Sequence, residues 1–134
     1  MGNKRKAKRQ IKMLNRRRQT KHRQALEDIA DNPELIGIKN SREIIIEMPI
    51  FRGKNHTGNN LICEPDLIIS DKRYVNYLIE YKCKDSISQR IKAKKQLLIA
   101  KEALKNMNIP IHHMFYVYSQ FVVEEYDNGW HMLI

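Results

Sequence analysis

The chain has 134 residues and a formal net charge of +10, enough for one modest domain. No apolar run is long enough to span a bilayer and no apolar N-terminal segment reads as a signal peptide, so a cytoplasmic protein is expected and a membrane partner is not. Its two cysteines, Cys63 and Cys83, fit no zinc-ligand spacing, and in a reducing compartment both are expected as free thiols.

The charge is concentrated at the start. Residues 1–23 hold eleven cations, Lys4, Arg5, Lys6, Lys8, Arg9, Lys12, Arg16, Arg17, Arg18, Lys21 and Arg23, and no acid. The other 14 basic and 15 acidic residues nearly cancel. The pattern predicts a polybasic N-terminal arm (1–23) ahead of a near-neutral domain (24–134). A polycation of this kind fits a polyanionic partner, because each phosphate it neutralises releases condensed counterions. A localisation signal or a solubilising tail would use the same residues.

Helical spacing extends over residues 4–31, with Ala25, Leu26, Ile29 and Ala30 as its apolar half and Asn32-Pro33 as its stop. Glu43 to Phe51 reads as a strand, with Pro49 at an edge or a bulge. Arg52 to Asn60 is a polar, glycine-containing loop whose Arg52, Lys54 and His56 could join the arm on phosphates. Leu61 to Ser70 and Tyr74 to Cys83 read as two further strands. Their apolar runs, Leu67-Ile68-Ile69 and Tyr77-Leu78-Ile79, are of the kind covered on both faces.

Ser86 with Gln89 forms a capping box that starts a helix running to about Met107. Ala93, Leu97, Ala100, Leu104 and Met107 make one stripe on it. Ile87, Ile91 and Leu98 lie off that stripe and could face a second subunit. Met114 to Tyr118 is a strand, Phe121 to Tyr126 another, and Asp127-Asn128-Gly129 turns the chain toward Trp130–Ile134. The order predicts a mixed α/β domain with a central sheet.

Chemistry is concentrated in Pro65-Asp66 and Glu80-Tyr81-Lys82. If Asp66 faces Glu80 across an antiparallel pair, the turn centres on residue 73, within the polar stretch Asp71-Lys72-Arg73. Alternation then puts Glu80 and Lys82 on one face, with Glu64 opposite Lys82. Two acids can hold a hard divalent cation, and an adjacent ammonium can assist an attacking water or offset developing charge. A solvated hairpin with ordinary ion pairs, Lys82 with Glu64 among them, is the competing reading.

This motif resembles that of the PD-(D/E)xK nuclease superfamily. A closer similarity, over roughly residues 25–119, is to the phage endonuclease I type of Holliday junction resolvase. It is carried by Leu26-Glu27-Asp28, by Asn55-His56-Thr57 ahead of Pro65-Asp66, and by Lys94-Lys95-Gln96-Leu97-Leu98-Ile99. The resemblance implies a restriction-endonuclease-like core of helix, three strands, helix and strand around a central mixed sheet. It also implies Mg²⁺ or Mn²⁺ held by Asp66, Glu80 and Glu27, with Lys82 assisting the water. The implied partner is DNA, probed in branched form by a homodimer. Asp28, Glu47 and Glu64 compete with Glu27 as the third acid, and Gln96 is a candidate support for the lysine.

Overall fold

The computed structural model describes residues 21–133. Most of the polybasic arm, residues 1–20, lies outside them, and so does the first part of the expected helix 4–31. Residues 21–31 form helix α1, so the expected boundary between 23 and 24 falls inside a helix.

Eight strands follow. They are β1 (Ser41–Ile46), β2 (Ile50–Phe51), β3 (Leu61–Cys63), β4 (Leu67–Asp71), β5 (Asn76–Lys82), β6 (His113–Tyr118), β7 (Val122–Tyr126) and β8 (Trp130–Met132). Helix α2 (Ile87–Asn106) joins β5 to β6. Six strands form one sheet in the order β1-β4-β5-β6-β7-β8, and β2 pairs with β3 in a separate hairpin. β5 and β6 run parallel while the other pairs in the large sheet are antiparallel, so the fold is mixed α/β around a central mixed sheet.

Two expected strands are each broken in two. The Glu43–Phe51 run stops at Ile46, because Glu47 adopts a positive φ of 49° and Pro49 has no N–H to donate to a ladder. Glu47 still donates its backbone N–H to Asp66 O at 2.9 Å, which ends the β1–β4 ladder. The Leu61–Ser70 run is interrupted at Glu64-Pro65-Asp66. These two breaks set residues 50–63 apart as a separate hairpin, whose Ile50 and Cys63 pack with Ile68, Leu78 and Leu97.

The helices cover opposite faces. Leu67, Ile69, Ile79, Tyr81, Phe115 and Val117 pack with Ala25, Leu26 and Ile29 of α1. The alternate residues Ile68, Leu78 and Met114 pack with Leu97, Ala100, Ala103 and Leu104 of α2. This period-two division explains why β4 is buried along its whole length. The Ser86 hydroxyl accepts Gln89 N–H at 3.1 Å and starts α2 as expected. Ala103 takes the place expected for Met107 in the buried stripe, because the helix ends at Asn106 and Met107 is exposed. Ile87 and Ile91 are 80% and 63% exposed.

Candidate active site

The register of β4 and β5 pairs Leu67 with Ile79 and Ile68 with Leu78, which centres the turn on residue 73. One step further, the same register sets Asp66 against Glu80. Asp71 holds the turn: its Oδ1 accepts the backbone N–H groups of Arg73 at 2.8 Å and Val75 at 3.1 Å. Local sequence at 71–75 thus fixes which acids meet at the far end of the hairpin.

Asp66 and Glu80 are both buried, at 7% and 5% exposure. Asp66 Oδ2 accepts Tyr81 N–H at 2.8 Å and lies 3.2 Å from His22 Nε2. The same His22 nitrogen is 3.2 Å from Tyr81 O, so its proton is shared between the two oxygens. The Asp66 carboxylate raises the His22 imidazole pKa, against the opposing effect of burial. Burial, then the neighbouring Asp66 charge, pushes the Glu80 carboxyl up to about 9, with Lys82 opposing. Lys82 Nζ stands 3.8 Å from Glu80 Oε1 on the same face of β5. Lys82 therefore pairs with Glu80, and the Glu64–Lys82 pair of the competing reading is not formed; Glu64 is exposed. Burial and then Glu80 raise the pKa of the half-buried Cys63 thiol. Both cysteines are free, as expected.

Glu27 is not drawn into this group. Arg23 Nε donates to Glu27 Oε1 at 3.1 Å, and Arg23 Nη1 donates to Glu47 Oε1 at 2.9 Å. One guanidinium therefore occupies two competitors for the third-acid role. It also removes Arg23 from the free cations of the arm. Asp28 accepts Gln24 Nε2 at 2.9 Å. Among the described residues no three His, Cys, Asp or Glu side chains are grouped to hold a metal. Gln96 is exposed on α2. Arg52, Lys54 and His56 are exposed on the loop joining β2 to β3.

Two features escaped the sequence reading. His22 lies among the arm's cations in the sequence, yet the spacing 22, 25, 26, 29 puts it on the buried face of α1. A helical wheel extended three residues upstream would have found it. The second is a network beyond Lys82. Arg90 Nη2 donates to Asp85 Oδ2 at 2.9 Å, and Arg90 Nη1 donates to Glu124 Oε1 at 2.9 Å. Tyr116 Oη donates to Asp85 Oδ1 at 2.9 Å and Tyr118 Oη to Glu124 Oε2 at 2.9 Å. Tyr116 and Tyr118 are the register partners of Glu80 and Lys82. The network thus fastens the start of α2 and the segment after Lys82 to the sheet.

Besides the carboxyl oxygens, the hairpin end holds the Lys82 ammonium, the His22 imidazole and the nearby Cys63 thiol. Asp66 and Glu80, whose raised carboxyl keeps a proton at neutral pH without a cation, could together hold a hard divalent cation, whose charge would favour the ionised form of Glu80. Cavities of 350 and 450 Å³ lie at the other end of the strands, beside His113 and beside Asp71. Asp66, Glu80 and Lys82 line neither. Among the described residues no helix is long and apolar enough to cross a membrane. The chain matches no family model and no curated protein.

Proposed function

We propose that the protein is a metal-dependent DNA endonuclease with a restriction-endonuclease-like core, acting on branched DNA as a Holliday junction resolvase. One observation carries the reading. Asp66 and Glu80 meet, buried, at the end of the β4–β5 hairpin with Lys82 Nζ 3.8 Å from Glu80. Solvated ion pairs would not require two adjacent acids to be withdrawn from water at that cost.

In this mechanism Asp66 and Glu80 would hold Mg²⁺ or Mn²⁺, and the ion, when bound, would supply Lewis-acid charge for phosphodiester hydrolysis. Tyr81 N–H and His22 fix one oxygen of Asp66, leaving Oδ1 as the freer donor. Lys82 is placed to orient the water or to offset charge on the phosphate. Glu27 completes the site only if it exchanges Arg23 for the metal. The arm and the exposed Arg52 and Lys54 hold the phosphate backbone, so selection rests on DNA shape. A homodimer would make two opposed cuts, and the exposed Ile87 and Ile91 are candidate contact residues. Such a protein would work beside nucleoid or viral DNA.

The full chain, incubated with Mg²⁺, should cut a four-way junction in preference to a linear duplex of matched sequence, and EDTA should stop it. Preferential cutting of linear duplex would instead point to a nicking or repair nuclease on the same core. The capture of Glu27 and Glu47 by Arg23 favours a non-catalytic nucleic-acid-binding protein as the second reading. Binding without cutting in Mg²⁺ or Mn²⁺ would select it.

A further inference from the structure

The β2–β3 hairpin carries an aromatic side chain that serves neither core. Phe51 is absent from both packed clusters and lies against His56, with ring centroids 4.7 Å apart and planes only 8° from parallel. His56 is exposed, so one face of its imidazole is backed by Phe51 while the ring remains accessible. The loop beneath is set by its own hydrogen bonds. Arg52 N–H donates to Asn60 O at 2.7 Å, Asn60 N–H to Thr57 O at 2.9 Å, and Asn60 Nδ2 to Asn55 O at 3.0 Å. Arg52 and Lys54 flank the stack, exposed and without an ion pair among the described residues.

We infer that His56, backed by Phe51, is a stacking platform for an unpaired or unstacked nucleobase, with Arg52 and Lys54 neutralising the phosphates on either side. A flat, supported ring beside free cations is what sequence-tolerant binding of an exposed base requires, since every base offers a π-face. Chain length sets its reach. Asp66 lies five residue steps beyond Leu61, the partner of Phe51. At full extension that is at most about 18 Å, or about five base steps. The strand spacing from Leu61 to Phe51 and the 4.7 Å ring stack add to that span, so the platform sits within a short stretch of DNA from the paired acids, and a branch point held on it would fall in the region to be cut. This deepens the proposed function and rests on its claim that the partner is DNA.

The test uses the full chain in EDTA, so that no cleavage is needed, and 2-aminopurine as the reporting base. The base is placed at the branch of a four-way junction, in a single strand, or inside a linear duplex. Wild type is expected to change the fluorescence of the first two. His56→Ala should abolish that change and weaken both complexes about ten-fold, while linear-duplex binding shifts less than two-fold. His56→Phe should keep the wild-type response, because it retains the ring. Three results would overturn the inference: wild-type behaviour of His56→Ala, rescue by His56→Lys but not by His56→Phe, or junction binding with unchanged fluorescence. The last would leave the nuclease reading intact, whereas failure to bind any of the three DNAs would remove both.

Discussion

His22 Nε2 lies 3.2 Å from Asp66 Oδ2, the oxygen that also accepts Tyr81 N–H at 2.8 Å. Two donors on one oxygen fix the carboxylate plane from outside the site. Removing partners of this kind typically lowers metal affinity ten- to hundred-fold. His22→Ala should weaken Mn²⁺ binding by about ten-fold in a calorimetric titration. His22→Gln, which keeps a donor, should recover part of the loss. Equal affinity in all three proteins would show that Tyr81 N–H alone orients Asp66.

Arg23 offers a direct test of the third acid. Its pairs with Glu27 and Glu47 are substantially exposed, and solvent screening leaves such pairs little weight in stability. Arg23→Ala should therefore barely change the melting temperature. If Glu27 completes the metal site, freeing it should tighten Mn²⁺ binding several-fold, and Glu27→Gln should weaken it. No effect from either substitution would leave Glu27 as a partner of Arg23 and nothing more.

Acid should act on the Asp85–Arg90 network in a definite direction. Burial disfavours the Asp85 charge, but hydrogen bonds from Arg90 and Tyr116 outweigh it and hold the carboxyl below its usual range. The folded pKa is lower than the unfolded one. The resulting stability is fully present above the unfolded value of 3.8 and is lost as pH falls through the folded value. Asp85→Asn should lower stability modestly at pH 7, solvent screening limiting the loss, and its deficit relative to wild type should shrink below about pH 4. Chemical denaturation at the two pH values would check this, and a constant deficit would contradict it.

The hairpin that joins the acids was legible in the sequence. Asp66 and Glu80 each border an apolar run, and the polar residues 71–73 mark the turn, so one register satisfies both. The Ser86 cap was equally plain. The two strand breaks were not, because Ile44–Ile46 and Ile50 look alike until Glu47 takes a positive φ between them. His22 was obscured by its company, since eleven cations around it read as a solvated arm. The Arg90 network joins residues 34 positions apart, and no local pattern announces such a contact.

The proposed homodimer can be examined through α2. Ile87 and Ile91 sit one turn apart and expose 80% and 63% of their surface. If this row is the interface, Ile91→Glu should convert a dimer to a monomer in sedimentation, with the circular dichroism spectrum unchanged. A dimer that survives Ile91→Glu would move the interface elsewhere.

The central claim is that Asp66, Glu80 and Lys82 form a hydrolytic site. Single-turnover cleavage of a four-way junction in Mg²⁺ by wild type, Asp66→Asn and Lys82→Ala tests it most directly. Both variants should cut at least about 100-fold more slowly while still binding the junction. Cleavage by both at the wild-type rate would contradict the account, as would a wild-type protein that binds the junction and cuts no DNA.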